Sequence, residues 1–187
     1  MHVPRRIVHA ILLAVLYAVG AAAAAFILPP GNRTGAAAIL LSAALASTLI
    51  ALSAIDLSEF RLPDRLTLPL GLAGCLLAGP MVGEALAWRV ASAVAGFLAF
   101  YLIAKAFLHL RGYPGLGLGD AKLLAASGAW LGLDGLPLVV LIASSLGLAA
   151  AVFTLLIGRP IDVRTRLPFG PFLAFATWIV WLAGPPV

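Results

Sequence analysis

The sequence is built from long blocks of apolar residues, separated by short stretches that contain charges, Gly and Pro. Apolarity within a block is continuous, whereas a membrane β-strand would alternate polar and apolar positions over about ten residues. Most blocks approach the roughly 20 residues that an α-helix needs to cross a bilayer. The seven blocks are residues 7–28, 35–55, 66–82, 86–108, 120–133, 136–157 and 167–182. The pattern predicts an all-α integral membrane protein, a polytopic bundle of about seven transmembrane helices.

The first block allows a second interpretation. Arg5 and Arg6, the apolar stretch and the alanines at 21–25 are together also typical of a secretory signal peptide. The apolar run, however, extends for about 22 residues, which is long enough to span a bilayer. We expect this block to be retained as a membrane span.

Composition supports the membrane assignment. Of the 187 residues, 63% are hydrophobic and 10% are charged, against about 45–50% and about 25% in soluble domains. A water-soluble globule is therefore excluded, and the high hydrophobicity excludes a disordered chain. Seven crossings would use about 140 residues, which leaves too few for a separate soluble domain. We expect residues 1–187 to form a single membrane-embedded domain.

The net charge of +5 comes from 12 Lys and Arg residues that are scattered between the apolar blocks. They form no basic stripe that could follow a phosphate backbone, so nucleic acid is excluded as a partner. With a cytoplasmic N-terminus, ten of these cations fall on the cytoplasmic side, and only Arg33 and Arg89 fall outside. The count predicts that residues 56–65, 109–119 and 158–166 form the cytoplasmic connections.

Two of the seven acidic residues stand directly at the end of an apolar block. Asp56 follows the uncharged run 35–55, and Asp120 follows the Gly-rich stretch 115–119. Position alone leaves two interpretations open. Asp56 could face lipid headgroups and Asp120 could be a helix N-cap. Alternatively, the two carboxyls could meet at the cytoplasmic face, share one proton and activate water against a peptide bond.

Three stretches resemble motifs of the type IV prepilin peptidases, in the order in which that family carries them. Residues 56–70 look like the first aspartate motif, residues 117–123 like the GxGD motif, and residues 167–174 like the signature of the last span. GxGD alone is a weak signal, because it is four residues rich in Gly, but three motifs in order are specific. The resemblance covers most of residues 40–180.

The resemblance implies an aspartic membrane endopeptidase, which removes the basic leader of type IV prepilins or pseudopilins just before their hydrophobic helix. It implies activity at the cytoplasmic face of the bacterial inner membrane, in type IV pilus or type II secretion systems. By the same resemblance, the catalytic residues are Asp56 and Asp120. The residues implied to support the motif or the substrate are Gly117, Gly119, Lys122, Pro63 and Asp64.

The chain departs from the longer members of that family, which carry a cytoplasmic domain with paired Cys-x-x-Cys motifs. It has the single cysteine Cys75 and resembles the membrane-embedded part, so N-methyltransferase activity is left open. Zinc is not expected, and His2, His9 and His109 share no metal-ligand spacing. We therefore expect no metal and no cofactor.

Helix dipoles suggest how the two aspartates would divide the work. Asp56 lies at a predicted helix C-terminus, whose negative end disfavours a negative charge. Asp120 lies at a predicted N-terminus, whose positive end favours one. Asp120 would then deprotonate water while Asp56 protonates the scissile carbonyl, although two such carboxyls titrate as a unit.

Two alternatives compete with a prepilin peptidase. One is a GxGD protease that acts on other membrane proteins or signal peptides, and the other is a proton-coupled transporter. A transporter should show inverted repeats or broken helices near the midplane, whereas this sequence has no convincing repeat and predicts its acids at helix ends. We favour the peptidase, with a prepilin or pseudopilin and the lipid bilayer as partners. The sequence specifies neither the individual substrate nor the oligomeric state.

Overall fold

The computed structural model describes residues 36–81, 83–113, 115–156 and 168–184. These residues form six helices and, within those ranges, no strand. The helices are α1 (Ala36–Glu59), α2 (beginning as Asp64–Ala73), α3 (Leu86–Arg111), α4 (Leu118–Leu131), α5 (Gly135–Leu156) and α6 (Gly170–Ala183). Helix α2 contains a π-helical turn, Gly74–Ala78, and ends with the short turn Gly79–Met81.

The helices follow the apolar blocks closely. Six of the seven predicted blocks correspond to α1–α6 within a few residues, which confirms the all-α class, and the first block lies outside the described residues. Three helices are long and apolar enough to cross a membrane, namely Ile39–Glu59 in α1, α3 and α5, and α6 is a shorter apolar helix. The number of about seven crossings stays a prediction.

Helix α4 lies at the centre of the bundle, where α2, α3, α5 and α6 all contact it. Most of its side chains are buried around the whole circumference, as expected of a core helix. The contact with α3 is especially close, because a Cβ at Gly128 would lie 2.4 Å from the backbone O of Ser92. Any larger residue at 128 would push the two helix backbones apart.

Trp130 joins α4 to two of its neighbours. Its indole Nε1 donates to the backbone O of Leu70 in α2 at 2.8 Å, and its ring packs edge-on against Trp181 of α6. The hydroxyls of Ser127 and Thr177 share a buried hydrogen bond of 2.7 Å between α4 and α6. These contacts hold α4 between α2 and α6.

Arg89, in the first turn of α3, binds the C-terminal end of α4. Its side chain is fully buried, and Nη1 donates to the backbone O of Trp130 at 2.6 Å and to that of Ala129 at 3.4 Å. Its Nε lies 2.7 Å from Oε2 of Glu84. The guanidinium thus satisfies carbonyls that the last turn of any helix leaves without an intrahelical donor. From the sequence, Arg89 was only one of the charges that indicate orientation, and its structural role becomes visible in the fold.

We expect Arg89→Met to destabilise the fold strongly. A buried carbonyl left without its donor costs about 1–3 kcal/mol, and the substitution removes the donor of the carbonyls of Ala129 and Trp130. It also leaves Glu84, which is partly exposed, without its cation. Thermal unfolding in detergent measures the effect. Arg111→Met is the matched control, since Arg111 is exposed in the last turn of the same helix. Equal unfolding temperatures for the two variants would contradict the role of Arg89.

Candidate active site

Asp56 lies in the last turn of α1, where the helix gives way to a short loop. The helix ends at Glu59, and Phe60 takes a left-handed backbone conformation with φ of 52°. The N–H of Phe60 donates to the backbone O of Asp56 at 2.9 Å, which closes the helix end. A side chain in this conformation costs about 1–2 kcal/mol relative to the right-handed form, and the ring of Phe60 is half exposed.

Asp120 lies in the first turn of α4, after the Gly-rich stretch that follows α3. Gly112 takes a left-handed conformation at the end of α3, and Gly117 is the N-cap of α4. The N–H of Asp120 donates to the backbone O of Gly117 at 3.2 Å. This bond places Asp120 in the first turn of the central helix. The residue is only 9% exposed there.

One cavity of about 730 Å³ brings the two aspartates together. Both are buried, and they lie close enough that the charge of Asp56 acts on Asp120. Glu59, Phe60 and Arg61, which the sequence analysis did not select as site residues, also line this dyad cavity. All seven residues selected from the sequence line it as well: Asp56, Pro63, Asp64, Gly117, Gly119, Asp120 and Lys122.

The start of α6 holds the carboxyl of Asp56. Oδ2 of Asp56 accepts a hydrogen bond of 3.0 Å from the backbone N–H of Gly170, the first residue of α6. A Cβ at Gly170 would lie 2.6 Å from that oxygen, so only glycine allows this approach. Residues 167–174 resemble a family motif, but the sequence did not suggest a role for them. In the structure, Gly170 of this stretch positions the carboxyl of Asp56.

Lys122 and Asp64 form an ion pair at the rim of the cavity. Nζ of Lys122 lies 2.6 Å from Oδ1 of Asp64, which links the first turn of α4 to the first residue of α2. Both side chains are partly exposed, so the pair contributes at most about 1 kcal/mol. Its geometric effect is to hold the two helix starts together beside the aspartates.

The arrangement suits acid–base chemistry on a bound polar group. Two buried carboxyls that interact cannot both ionise cheaply, so they share one proton, and one is a base while the other is an acid. Among the described residues, no three His, Cys, Asp or Glu side chains are grouped so that they could hold a metal ion.

Comparison with known proteins supplies the family. Residues 43–155, which include both aspartates, match the model of the type IV leader peptidase family. The chain belongs to the type IV leader peptidase family. Its relatives include proteins named prepilin leader peptidase/N-methyltransferase. No solved structure matches the chain.

Three of these relatives show how far the similarity extends. The Aeromonas hydrophila protein is 42% identical over 94% of this chain and 59% of its own length. The Burkholderia pseudomallei (strain K96243) protein is 46% identical over 73% of this chain and 44% of its own length. The Dickeya chrysanthemi protein is 47% identical over 67% of this chain and 44% of its own length. This member of the leader peptidase family thus spans about half the length of the curated relatives it matches.

We expect Gly170→Ala to displace the carboxyl of Asp56 without unfolding the protein. A Cβ at residue 170 would lie 2.6 Å from Oδ2 of Asp56, so the carboxyl has to move away and loses its hydrogen bond from the N–H of residue 170. A structure of the variant measures the displacement, and thermal unfolding checks the fold. Gly147→Ala is the control, since a Cβ there meets its nearest neighbour at 3.5 Å. An unmoved Asp56 carboxyl in Gly170→Ala would show that the close approach of Gly170 does not fix its position.

Proposed function

We propose that this protein is an aspartic endopeptidase that removes the leader peptide of type IV prepilins or pseudopilins. The observation that carries the proposal is the burial of Asp56 and Asp120 in one cavity, at the ends of two different helices. Membership of the leader peptidase family and the printed names of its relatives supply the substrate class. The two aspartates are the catalytic pair in this proposal.

Hydrolysis would proceed by general acid–base catalysis. The ionised carboxyl takes a proton from water as the oxygen attacks the scissile carbonyl carbon, and the protonated carboxyl donates its proton to the carbonyl oxygen. Collapse of the tetrahedral intermediate breaks the C–N bond, and the first carboxyl returns its proton to the leaving amine. The second carboxylate takes back the hydroxyl proton as the C=O bond forms again. The pair then again holds one proton.

The structure bears on the division of roles that helix dipoles suggested. Asp56 lies at the C-terminal end of α1 but also against the N-terminal N–H of α6. The two helix ends act on its carboxyl in opposite directions, so the dipole argument no longer separates Asp56 from Asp120. We therefore propose a pair that shares one proton and acts as a unit.

The supporting residues shape the cavity in this proposal. A Cβ at Gly119 would lie 3.0 Å from Cβ of Leu62, so the second Gly of GxGD allows the α1–α2 loop to pack on the start of α4. Pro63 is the N-cap of α2, and the Lys122–Asp64 pair fixes α2 to α4. Gly117 leaves room beside Asp120 for an extended peptide, since the nearest atom to a Cβ there would be Oδ2 of Asp120 at 3.4 Å.

We place the cavity at the cytoplasmic face of the inner membrane. The support is the distribution of cations, because four of the six cations in the described residues lie in or beside the α1–α2 loop and the α3–α4 connection, and only Arg89 lies at the opposite end of α4. The four are Arg61, Arg65, Arg111 and Lys122. The opposite end of α4, with Glu84 and Asp134 near it, would then face outward.

We expect Asp56→Asn and Asp120→Asn each to abolish leader removal. Loss of general acid–base catalysis costs about 10²–10⁴-fold, and each Asn keeps the shape of the side chain while removing its titration. The assay is incubation of purified protein in lipid with a prepilin, read by the mass of the product. Asp134→Asn, an exposed acid at the far end of α4, should cleave normally. Cleavage that survives either catalytic substitution refutes the dyad.

We expect cysteines at the two ends of the bundle to react from opposite sides of the membrane. In a Cys75→Ser background, Glu59→Cys should be labelled by a membrane-impermeant maleimide only from the cytoplasmic side, because Glu59 is exposed at the cavity. Asp134→Cys should be labelled only from the outside. Reversed labelling would place the cavity on the outer face and overturn the proposed orientation.

A further inference from the structure

A second depression, which we call the α2–α3 groove, lies beside the dyad cavity. It has a volume of about 420 Å³, with walls from α2 and α3 and a floor from α4. Leu68 and Leu72 line one wall and Val94 and Leu98 the other, and all four side chains are about half exposed or more. The groove is therefore an open apolar channel along the side of the bundle.

The groove adjoins the dyad cavity at Lys122. Lys122 lines both, and Thr67 gives the groove a second polar residue near that end. At the other end, the π-helical turn of α2 contacts α3 and bounds the groove. An extended peptide in the dyad cavity could thus continue directly into the groove.

The floor of the groove is made of small residues. Ala125 and Ala126 of α4 lie between Gly71 of α2 and Ala93 of α3. A Cβ at Gly71 would meet only ordinary contacts, the nearest at 3.8 Å, so space remains above it. Small residues let the backbone of another helix approach closely in lipid, where helix association depends on such packing.

The charge of the dyad cavity is opposite to that of the whole chain. Four carboxyl groups line it, from Asp56, Glu59, Asp64 and Asp120, against the two cations Arg61 and Lys122, whereas the chain carries a net charge of +5. An acidic cavity followed by an apolar groove matches a peptide that is basic first and apolar afterwards. That order of polarity is not what a lipid acyl chain offers.

We propose that the α2–α3 groove binds the first turns of the hydrophobic helix of the substrate, while the scissile bond lies at the dyad and the basic leader lies in the acidic cavity. This proposal rests on the proposed function and adds the surface that selects the substrate. The distance from Asp64 to Cys75 along α2 is about 16 Å at 1.5 Å per residue. A substrate helix in the groove therefore passes Cys75 about 11 residues after the scissile bond.

Cys75, the single cysteine of the chain, lines the groove and is a built-in probe. The probe substrate is a synthetic prepilin peptide with the basic leader, the scissile bond and the following apolar helix, carrying one cysteine placed in turn at positions about 4 to 15 after that bond. Oxidation with copper phenanthroline in lipid vesicles should give disulfides to Cys75 that peak about 11 residues after the bond and repeat every three to four residues.

The control places the protein cysteine elsewhere on the membrane surface. A Cys75→Ala, Leu148→Cys variant carries it on exposed α5, outside the groove, and should form at least about tenfold less cross-link, the ratio that a 1.4 kcal/mol preference would give. The peptide could be cleaved and yet cross-link equally to Cys75 and to the cysteine of the Leu148→Cys variant, or not to Cys75 at all. Either result overturns the proposal that the groove binds the substrate helix, while the proposed peptidase function stands. A peptide that remains uncut removes the proposed function, while the cross-links still report where its helix binds.

A filled groove provides the second measurement. Ala93→Phe projects a ring into the groove, whereas Ala99→Phe places the same ring on an exposed position of the same helix that does not line it. We expect Ala93→Phe to raise KM for the full peptide about tenfold or more with little change in kcat, because uniform binding is lost. Equal KM values for the two variants would overturn the proposal.

Discussion

The burial of α4 is the constraint on which the rest of the structure depends. This helix is apolar around its circumference, and its backbone touches that of α3 at Gly128. A buried helix cannot leave its terminal N–H and C=O groups without partners, because each such group costs free energy comparable to a lost hydrogen bond. Arg89 meets this need at the C-terminal end. The N-terminal end opens instead into the polar dyad cavity, which Asp120 of the first turn lines.

The geometry at the cavity then follows from three elements that are distant in sequence. Helix α1 brings Asp56, α4 brings Asp120, and α6 brings the N–H of Gly170 that holds Asp56 in place. Helix α6 can reach Asp56 because it packs against α1, α4 and α5 along its buried face. The site is thus a product of the packing around α4.

The fold and the pair of aspartates could be predicted from the sequence, for different reasons. Continuous apolar blocks mark helices whose environment is apolar on every side, so α1 to α6 were located within a few residues. Asp56 and Asp120 stood out because charges are scarce beside such blocks. That the two carboxyls lie in one cavity depends on the tertiary structure. Their positions in the sequence left this arrangement open, and the family resemblance favoured it.

Three other features of the structure could not be recognised in the sequence. Arg89 beside an apolar block resembles any charge that flanks a span, and its burial depends on the position of the end of α4. The Gly170 contact uses a backbone N–H, which every residue but proline has, so the side chain gave no sign of it. The π-helical turn of α2 lies within one uninterrupted apolar block and changes no periodic pattern that could be read.

The way in which Asp56 is held bears on the proposed sharing of one proton by the two aspartates. A cation placed against both carboxyls would favour ionisation of each and leave no acid to protonate the scissile carbonyl oxygen. Within the described residues, the ion pairs join Arg89 to Glu84 and Lys122 to Asp64, so Lys122 is engaged at the rim. Asp56 receives a backbone N–H instead, which orients one carboxyl without adding a full positive charge. In the proposed mechanism, a pair oriented by a helix end can therefore contain an acid and a base at once.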